Sequence, residues 1–429
     1  AMKICVMTLG CKVNKYESDA LIYNLKLKGY QATDKFEPAD VYVINTCAVT
    51  AEAERKSRQM IARCKKYNEN AKFFICGCAS QKNSGQFLEK DATFVSGVAG
   101  KKKISEYIDK LAKHDRRLLK KRDRTEKLPK DYEDDLFAEQ SRTRAYIKIQ
   151  DGCDNFCSYC IIPYLRGRSR SRAIFSIINE VSKLSKDIKE VVLTGINVTD
   201  YKIDGKPSLL SLLTELDTFG LRLRLSSMED SLISEEFVEG LSRLDNFCPH
   251  FHLSLQSGSD SVLKRMNRHY TTKMFKQSVD LIRKYFPLAG ITTDIIVGFP
   301  NESDEEFRQT YEFAKEVGFS QLHIFPYSNR EGTVASKLYR DLPKSIKQKR
   351  FEELDKLNTQ LKLDFIKKNK TGSVLIEEQI DGYYVGYTKN YIRCYIPAND
   401  KKASDGIIDG IVEVKIKEPF RDGALAKIK

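Results

Sequence analysis

The chain lacks any apolar run approaching the roughly 18 residues that a membrane-spanning helix needs. It also lacks a signal-peptide core, since the residues after Met2 pass straight into a short strand-like stretch. These absences argue against a membrane-spanning or exported chain and make a soluble, cytoplasmic protein the expectation; Ala1 ahead of Met2 reads as a cloning remnant. No segment is of low complexity, because glycines and charges are scattered. A disulfide framework is missing too. Eleven cysteines, an odd number in a chain read as cytosolic, point instead to metal or cluster ligation. Nor is there an acidic surplus. Lys and Arg number 73 against 59 Asp and Glu, a net charge of +14 that suits a polyanionic partner, with a solvated lysine-rich surface as the plainer alternative.

What is present can build a large core. Hydrophobic residues are 41% of 429, and about 150 residues per domain gives two to four domains. Within 3–100, the stretches 3–9, 41–45 and 72–75 read as strands and 17–28 and 51–66 as helices. Strands separated by helices imply parallel βαβ units with right-handed crossovers. Positions 101–130 then carry thirteen Lys/Arg against five Asp/Glu, and 131–140 carry five acids and no base. Charge segregation of this kind over 101–143 marks a solvated or extended linker, so the N-terminal domain is bounded at 2–112 and the linker at 113–140.

A strand-then-helix rhythm fills 141–371, with strands expected at 144–150, 190–194, 221–226, 251–255, 291–297 and 321–325. Six β/α units fit an incomplete parallel barrel better than the eight of a closed one. A basic amphipathic helix over 344–370 aligns Leu354, Leu357, Leu361 and Phe365 and stops at Gly372. Residues 372–429 switch to short alternating strands (VLIEEQI, YYVGYT, NYIRCYI, IVEVKIK), the pattern of a small OB-like β-barrel. The fold class is therefore α/β: an N-terminal open parallel domain, an incomplete (β/α)6 barrel and a C-terminal β-barrel.

The strongest chemical signal is Cys153-x3-Cys157-x2-Cys160, directly after the first barrel strand. Three thiolates in one loop can bind three irons of a [4Fe–4S] cube and leave the fourth iron open. An open iron can chelate S-adenosylmethionine (SAM), and an electron from the cluster can split its sulfonium into methionine and a 5′-deoxyadenosyl radical. Structural zinc, which wants four closed ligands, and unrelated free thiols are the alternatives.

A second triplet is dispersed. Cys11, Cys47 and Cys78 each lie just past the carboxyl end of an expected parallel strand, and in an open sheet those ends face one crevice. They could hold a second cluster, or be three ordinary buried cysteines. Cys76 competes with Cys78, which repeats the Gly-Cys step of Gly10-Cys11 and lies clear of its strand. Cys5, Cys64, Cys248 and Cys394 read as packing residues.

These segments carry a resemblance. GCKVNKYES, NTCAVT, CDNFCSYCIIPYLRGRSRSR, LTGINV, LSLQSGSD, MNRHYT, DIIVGFPNE and FPYS resemble, in this order, the radical SAM methylthiotransferases. The likeness spans almost the whole chain, and its last part resembles a TRAM domain. Gly10–Asn14 is similar to the branch acting on N6-threonylcarbamoyladenosine in tRNA; the isopentenyladenosine and ribosomal-protein aspartate branches open differently.

The resemblance implies two [4Fe–4S] clusters and SAM. Cys153, Cys157 and Cys160 would hold the SAM-cleaving cluster, and Cys11, Cys47 and Cys78 an auxiliary one. One SAM would methylate a cluster-bound sulfur and another make the radical that removes hydrogen from carbon 2 of the purine. That C–H has no useful acidity, so acid–base catalysis cannot reach it. The partners implied are a tRNA anticodon stem-loop, an electron donor such as flavodoxin or ferredoxin, and a sulfur donor, with the protein a monomer. A non-catalytic iron–sulfur RNA-binding protein is the alternative of another class.

Strand-end positions give the SAM pocket expectations. Thr194, Gly195 and Asn197 would meet the amino group and Ser254 and Gln256 the ribose. Ile296, Val297 and Gly298 would line the adenine, and Phe325 and Tyr327 the rim, or each would pack the barrel; Tyr159, in the cluster loop, is a further cofactor-binding candidate. No role is assigned to Met228-Glu229-Asp230, and His252 and His323 read as core or satisfied polar groups. Arg166, Arg168, Arg170 and Arg172, with Arg142, Arg144 and Lys148, form a basic stripe suited to tRNA phosphates or to an edge strand protected by charge. Arg268 is another phosphate candidate. Tyr383, Tyr384, Tyr387, Tyr391 and Tyr395 could stack on unpaired bases or fill the C-terminal core.

Overall fold

The computed structural model describes residues 2–90, 92–113, 121–122, 127–134, 137–138, 143–400, 402 and 407–429. The N-terminal sheet is parallel throughout, in the order Gln31–Thr33, Lys3–Thr8, Val41–Thr46, Lys72–Gly77, Phe94–Val95, Lys121–Arg122. Its central strands are buried on both faces, as crossover helices require. The short strands Gln31–Thr33, Phe94–Val95 and Lys121–Arg122 are additions to the sequence reading, too brief to show a period of two.

Helix Lys12–Leu27 begins earlier than expected because it starts directly behind Cys11, its N-cap. Lys101–Ala112, the first part of the basic run, is a helix that buries Ile104 and Ile108 under the sheet. The described part of the acidic block is also docked, unlike a solvated linker. Tyr132 Oη donates to the Lys148 carbonyl at 2.9 Å, and Asp134 accepts from Arg172 Nε at 2.7 Å. Buried cations give those acids a partner that composition alone hides.

The middle part forms two three-stranded parallel sheets. One runs Arg222–Leu225, Glu190–Thr194, Arg144–Lys148, the other His250–His252, Gly290–Val297, Gln321–Pro326. Single bridges, Leu223 to Phe247 and Met228 to Leu253, join them into a six-stranded arc. The largest hydrophobic core lies between this arc and its outer helices. Helix Lys344–Lys368 lays Leu354, Leu357 and Leu361 on that core, while Phe365 packs on the C-terminal barrel. That barrel is closed, in the order Thr371–Ile380, Tyr383–Thr388, Arg393–Pro397, Gly423–Ile428, Ile411–Phe420. Its fifth strand, Gly423–Ile428, was not among the four expected. No helix among the described residues is long and apolar enough to cross a membrane.

Candidate functional site

The three N-terminal cysteines meet at the carboxyl edge of the sheet. Gly10 and Gly77 share a φ of +101°, which an L side chain rarely adopts, and each turns the chain so that the following cysteine starts a helix. A Cβ on Gly10 would sit 2.7 Å from Cys47 Sγ, so the Cys47 thiol lies directly over the Gly10-Cys11 step. Burial pushes the Cys47 thiol up to about 11, and the nearby Cys78 and Cys11 thiols add to the rise. Burial also raises Cys78, against the opposing pull of Arg166. Cys76 packs instead with Ile4, Val43 and Phe74 in the core on the other side of the sheet. Cys5, Cys64, Cys248 and Cys394 are buried packing residues.

Below these thiols lies a buried charge network. Glu17 meets Lys101 at 2.9 Å, Lys148 at 2.8 Å and Arg166 at 3.1 Å. Asp151 meets Lys148 at 2.8 Å, Arg166 at 2.9 Å and Arg170 at 3.2 Å. Burial alone would raise the Glu17 carboxyl, but Arg166, Lys101 and Lys148 outweigh it and hold it well below the usual range. Four cations thus face two carboxylates, and the surplus positive charge borders Cys78 and Cys47. Arg166 Nε is buried without a hydrogen-bond partner. Isolated buried cations are costly, and a negatively charged thiolate-bound cluster is the kind of group that would balance them.

This network corrects the arginine stripe. Arg166 and Arg172 are fully buried and Arg170 nearly so; only Arg168 is exposed. Arg172 donates to Glu180 and Asp134 beside Tyr16. Arg166, at the end of helix Ile162–Arg166, and Arg170 and Arg172, in and just after the short strand Arg170–Ser171, turn into the interior, where Glu17, Asp151 and Glu180 meet them. Arg144 is paired with Glu190 and Glu377, Lys148 belongs to the network, and Arg142 lies outside the described residues.

The loop of Cys153, Cys157 and Cys160 is clamped by the segment after residue 264. Ser158 Oγ donates to the Arg265 carbonyl at 2.7 Å, and Asn267 Nδ2 to the Phe156 carbonyl at 3.1 Å. Burial pushes the Cys153 and Cys160 thiols up to about 12. Arg268, expected to meet phosphate, is turned inward. Its Nη1 donates to Cys157 Sγ at 3.2 Å, and its Nη2 lies 2.9 Å from Glu229. A thiolate-ligated cluster there would sit against a fixed cation. Among the described residues no three His, Cys, Asp or Glu side chains are close enough to share a single metal ion.

Tyr159, Ile296 and Tyr327 share an apolar cluster with Phe299 and Met266, with Tyr327 buried in it instead of standing at a rim. Val297 is a correction, for its side chain enters the outer core and faces away from the barrel interior. Gly298 packs on Lys347. Thr194 is buried at its strand end, Gly195 touches Gln150, and Asn197 caps the turn Val198–Asp200. Ser254 and Gln256 are half-buried; the Ser254 carbonyl accepts from Tyr270 Oη at 2.6 Å, and Gln256 has a φ of +72°. Phe325 is half-exposed and lines a separate cavity with His252 and His323.

Two residues escaped the sequence reading. Glu229 accepts from Asn155 Nδ2 at 2.7 Å as well as pairing with Arg268. Gln150 accepts from the Asn197 amide at 2.9 Å and donates to the Gly152 carbonyl at 2.7 Å, tying the cluster loop to the next strand end. Their only signal was a polar residue at the carboxyl end of a barrel strand.

In the C-terminal barrel, Tyr387 stacks on Tyr391 and Tyr391 on His250, so both belong to the seam with the middle barrel. Tyr383, Tyr395 and Phe420 cluster under Arg421.

Comparison with known proteins bears on this geometry. Residues 147–314 match the Radical SAM superfamily and residues 3–100 the Uncharacterized protein family UPF0004. The chain is 38% identical to the threonylcarbamoyladenosine tRNA methylthiotransferase MtaB of Bacillus subtilis, covering 98% of this chain and 96% of the relative. Its namesake in Thermotoga maritima is 37% identical over 90% of each chain. A tRNA-2-methylthio-N(6)-dimethylallyladenosine synthase of Clostridium botulinum is 34% identical, over 87% of this chain and 84% of the relative. Among solved structures, the radical S-adenosylmethionine methyltransferase TsrM of Kitasatospora setae shares the fold, with a TM-score of 0.54 at 15% identity over 78% of this chain and 77% of that one.

Proposed function

The chain belongs to the radical SAM methylthiotransferase family, and from that premise we propose that it converts N6-threonylcarbamoyladenosine in a tRNA anticodon loop to its 2-methylthio derivative. The observation that supports this most directly is that Arg166, six residues past Cys160, reaches across the seam to Asn14 and borders Cys11 and Cys78. The MtaB relatives, more similar over more of their length than the dimethylallyladenosine enzymes, support the substrate.

In this reading Cys153, Cys157 and Cys160 hold the SAM-binding [4Fe–4S] cluster, and Cys11, Cys47 and Cys78 hold a second. When bound, these groups supply the electron that cleaves SAM and the sulfur that replaces the purine hydrogen. The chain contributes placement. Arg268 fixes the charge beside Cys157, Gln150 holds the cluster loop to Asn197, and the apolar patch of Tyr159, Ile296 and Tyr327 keeps water from the reacting carbon. Arg168, exposed beside Asp154, and the Tyr383–Arg421 surface provide contacts for RNA. An electron donor of the flavodoxin or ferredoxin kind and a sulfur donor complete the requirements of a monomeric enzyme working in the cytoplasm.

The test is anaerobic turnover by reconstituted protein on stem-loops carrying either N6-threonylcarbamoyladenosine or isopentenyladenosine. The expected result is 5′-deoxyadenosine formation and a methylthio product from the first only. Product from the isopentenyl stem-loop alone would move the protein to the other branch, and no 5′-deoxyadenosine at all would leave an RNA-binding protein.

A further inference from the structure

The six-stranded arc does not close, and at its opening lies a cavity of about 340 Å³, a size suited to a small organic group. Lys12 enters it from the helix behind Cys11, Tyr146 and Phe325 from the two edge strands, and Tyr391 from the C-terminal barrel. Most of the charges bordering it are paired. Arg144 meets Glu190 at 3.0 Å and also Glu377, Arg224 meets Glu190 at 2.7 Å, and Asp294 lies 3.2 Å from His252. Lys12 has no carboxylate within ion-pair distance among the described residues, and its ammonium lies 5.9 Å from the centre of the Tyr146 ring.

A concave site with aromatic side chains at its edges and one unmatched ammonium fits a flat ring that carries an anion. The threonylcarbamoyl substituent ends in a carboxylate, whereas an isopentenyl group carries no charge. Resting on the substrate reading above, we propose that Lys12 pairs with the carboxylate of the N6 substituent and so selects the threonylcarbamoyl base over uncharged N6-substituted adenines. A backbone phosphate of the tRNA is the other anion that could meet Lys12, and the two separate by experiment.

The experiment uses reconstituted holoenzyme and three stem-loops, bearing the threonylcarbamoyl acid, its carboxamide and isopentenyladenosine. Wild type, Lys12→Gln and Lys12→Arg are compared by kcat/KM and by stem-loop affinity from fluorescence anisotropy, with iron content measured for each. A charge-assisted contact predicts that Lys12→Gln lowers kcat/KM and affinity for the acid by about ten- to a hundredfold. Values for the amide should change less than about twofold, and Lys12→Arg should recover part of the loss. Equal losses on acid and amide would assign Lys12 to phosphate or to support of Cys11, and no loss would remove it from the site; either overturns the assignment while leaving the substrate intact. Wild type acting only on the isopentenyl stem-loop would overturn the substrate reading and Lys12's role with it.

Discussion

Arg166 Nη2 donates to Asn14 Oδ1 at 2.6 Å across the seam between the barrel and the N-terminal domain. Arg166 stands six residues past Cys160 and Asn14 three past Cys11, so one hydrogen bond ties the segment after one cysteine loop to the helix behind another. The same guanidinium reaches Glu17 and Asp151, which makes Arg166 the shared cation of both halves.

Removing that cation should loosen the seam without weakening RNA binding. Arg166→Met leaves Glu17 and Asp151 short of a partner, and breaking a buried pair costs about 3–5 kcal/mol, or roughly 6–20 °C in Tm for a unit of about 150–250 residues. Thermal unfolding measures it. A variant that melts like wild type but binds tRNA with a shallower salt dependence would mean that Arg166 reaches phosphate after all.

The same network predicts an acid limit. Glu17 titrates well below its ordinary 4.5 in the folded protein, so its stabilisation is complete above that pH and is lost as the pH falls through the depressed value. Wild type should therefore exceed Glu17→Gln in stability at pH 6 by more than at pH 3. Urea unfolding across that range decides it, and a gap that stays constant with pH would disconnect Glu17 from the ion pairs.

How far the sequence foretold this depends on range. Strand-end cysteines, the spacing of Cys153, Cys157 and Cys160 and the strand-then-helix rhythm are all local patterns; the rhythm foretold the six barrel strands, and the cysteines marked two candidate triplets. Partner choice is not local. The alternation of Arg166, Arg168, Arg170 and Arg172 resembles a surface stripe until Glu17 and Glu180, from other elements, are brought against it. Arg268 and Glu229 are 39 positions apart in sequence and pair only once the barrel forms. Strands of two or three residues, such as Phe94–Val95, show no periodicity and exist because a neighbouring strand offers an edge.

The exposed and buried arginines should behave oppositely. Arg168→Ala removes an exposed cation and should lower the slope of log affinity against log salt by about 0.7–0.9 if it meets one phosphate. Arg268→Gln, whose guanidinium touches Cys157, should leave that slope unchanged but slow 5′-deoxyadenosine formation from SAM. Tritium-free filter binding over a salt series and product chromatography separate the two effects. An unchanged slope for Arg168→Ala would move the RNA path elsewhere on the surface.

Iron counting tests the N-terminal triplet at two levels. Anaerobic wild type should hold about eight irons, from two cubane clusters with three thiolates each, and Cys78→Ala should fall toward about four. Cys76→Ala, cut from the opposite core, should keep all of them. Gly10→Ala is the sharper probe because it removes no ligand. At a φ of +101° an added methyl is strained, and here it would also press on Cys47 Sγ at 2.7 Å. The thiol must move or the turn must open, and either displaces Cys47 from the other two cysteines. The expected result is iron loss comparable to Cys78→Ala with the barrel cluster's 5′-deoxyadenosine activity retained. Full iron in Gly10→Ala together with full iron in Cys78→Ala would leave the N-terminal thiols as packing residues and remove the second cluster from the catalyst.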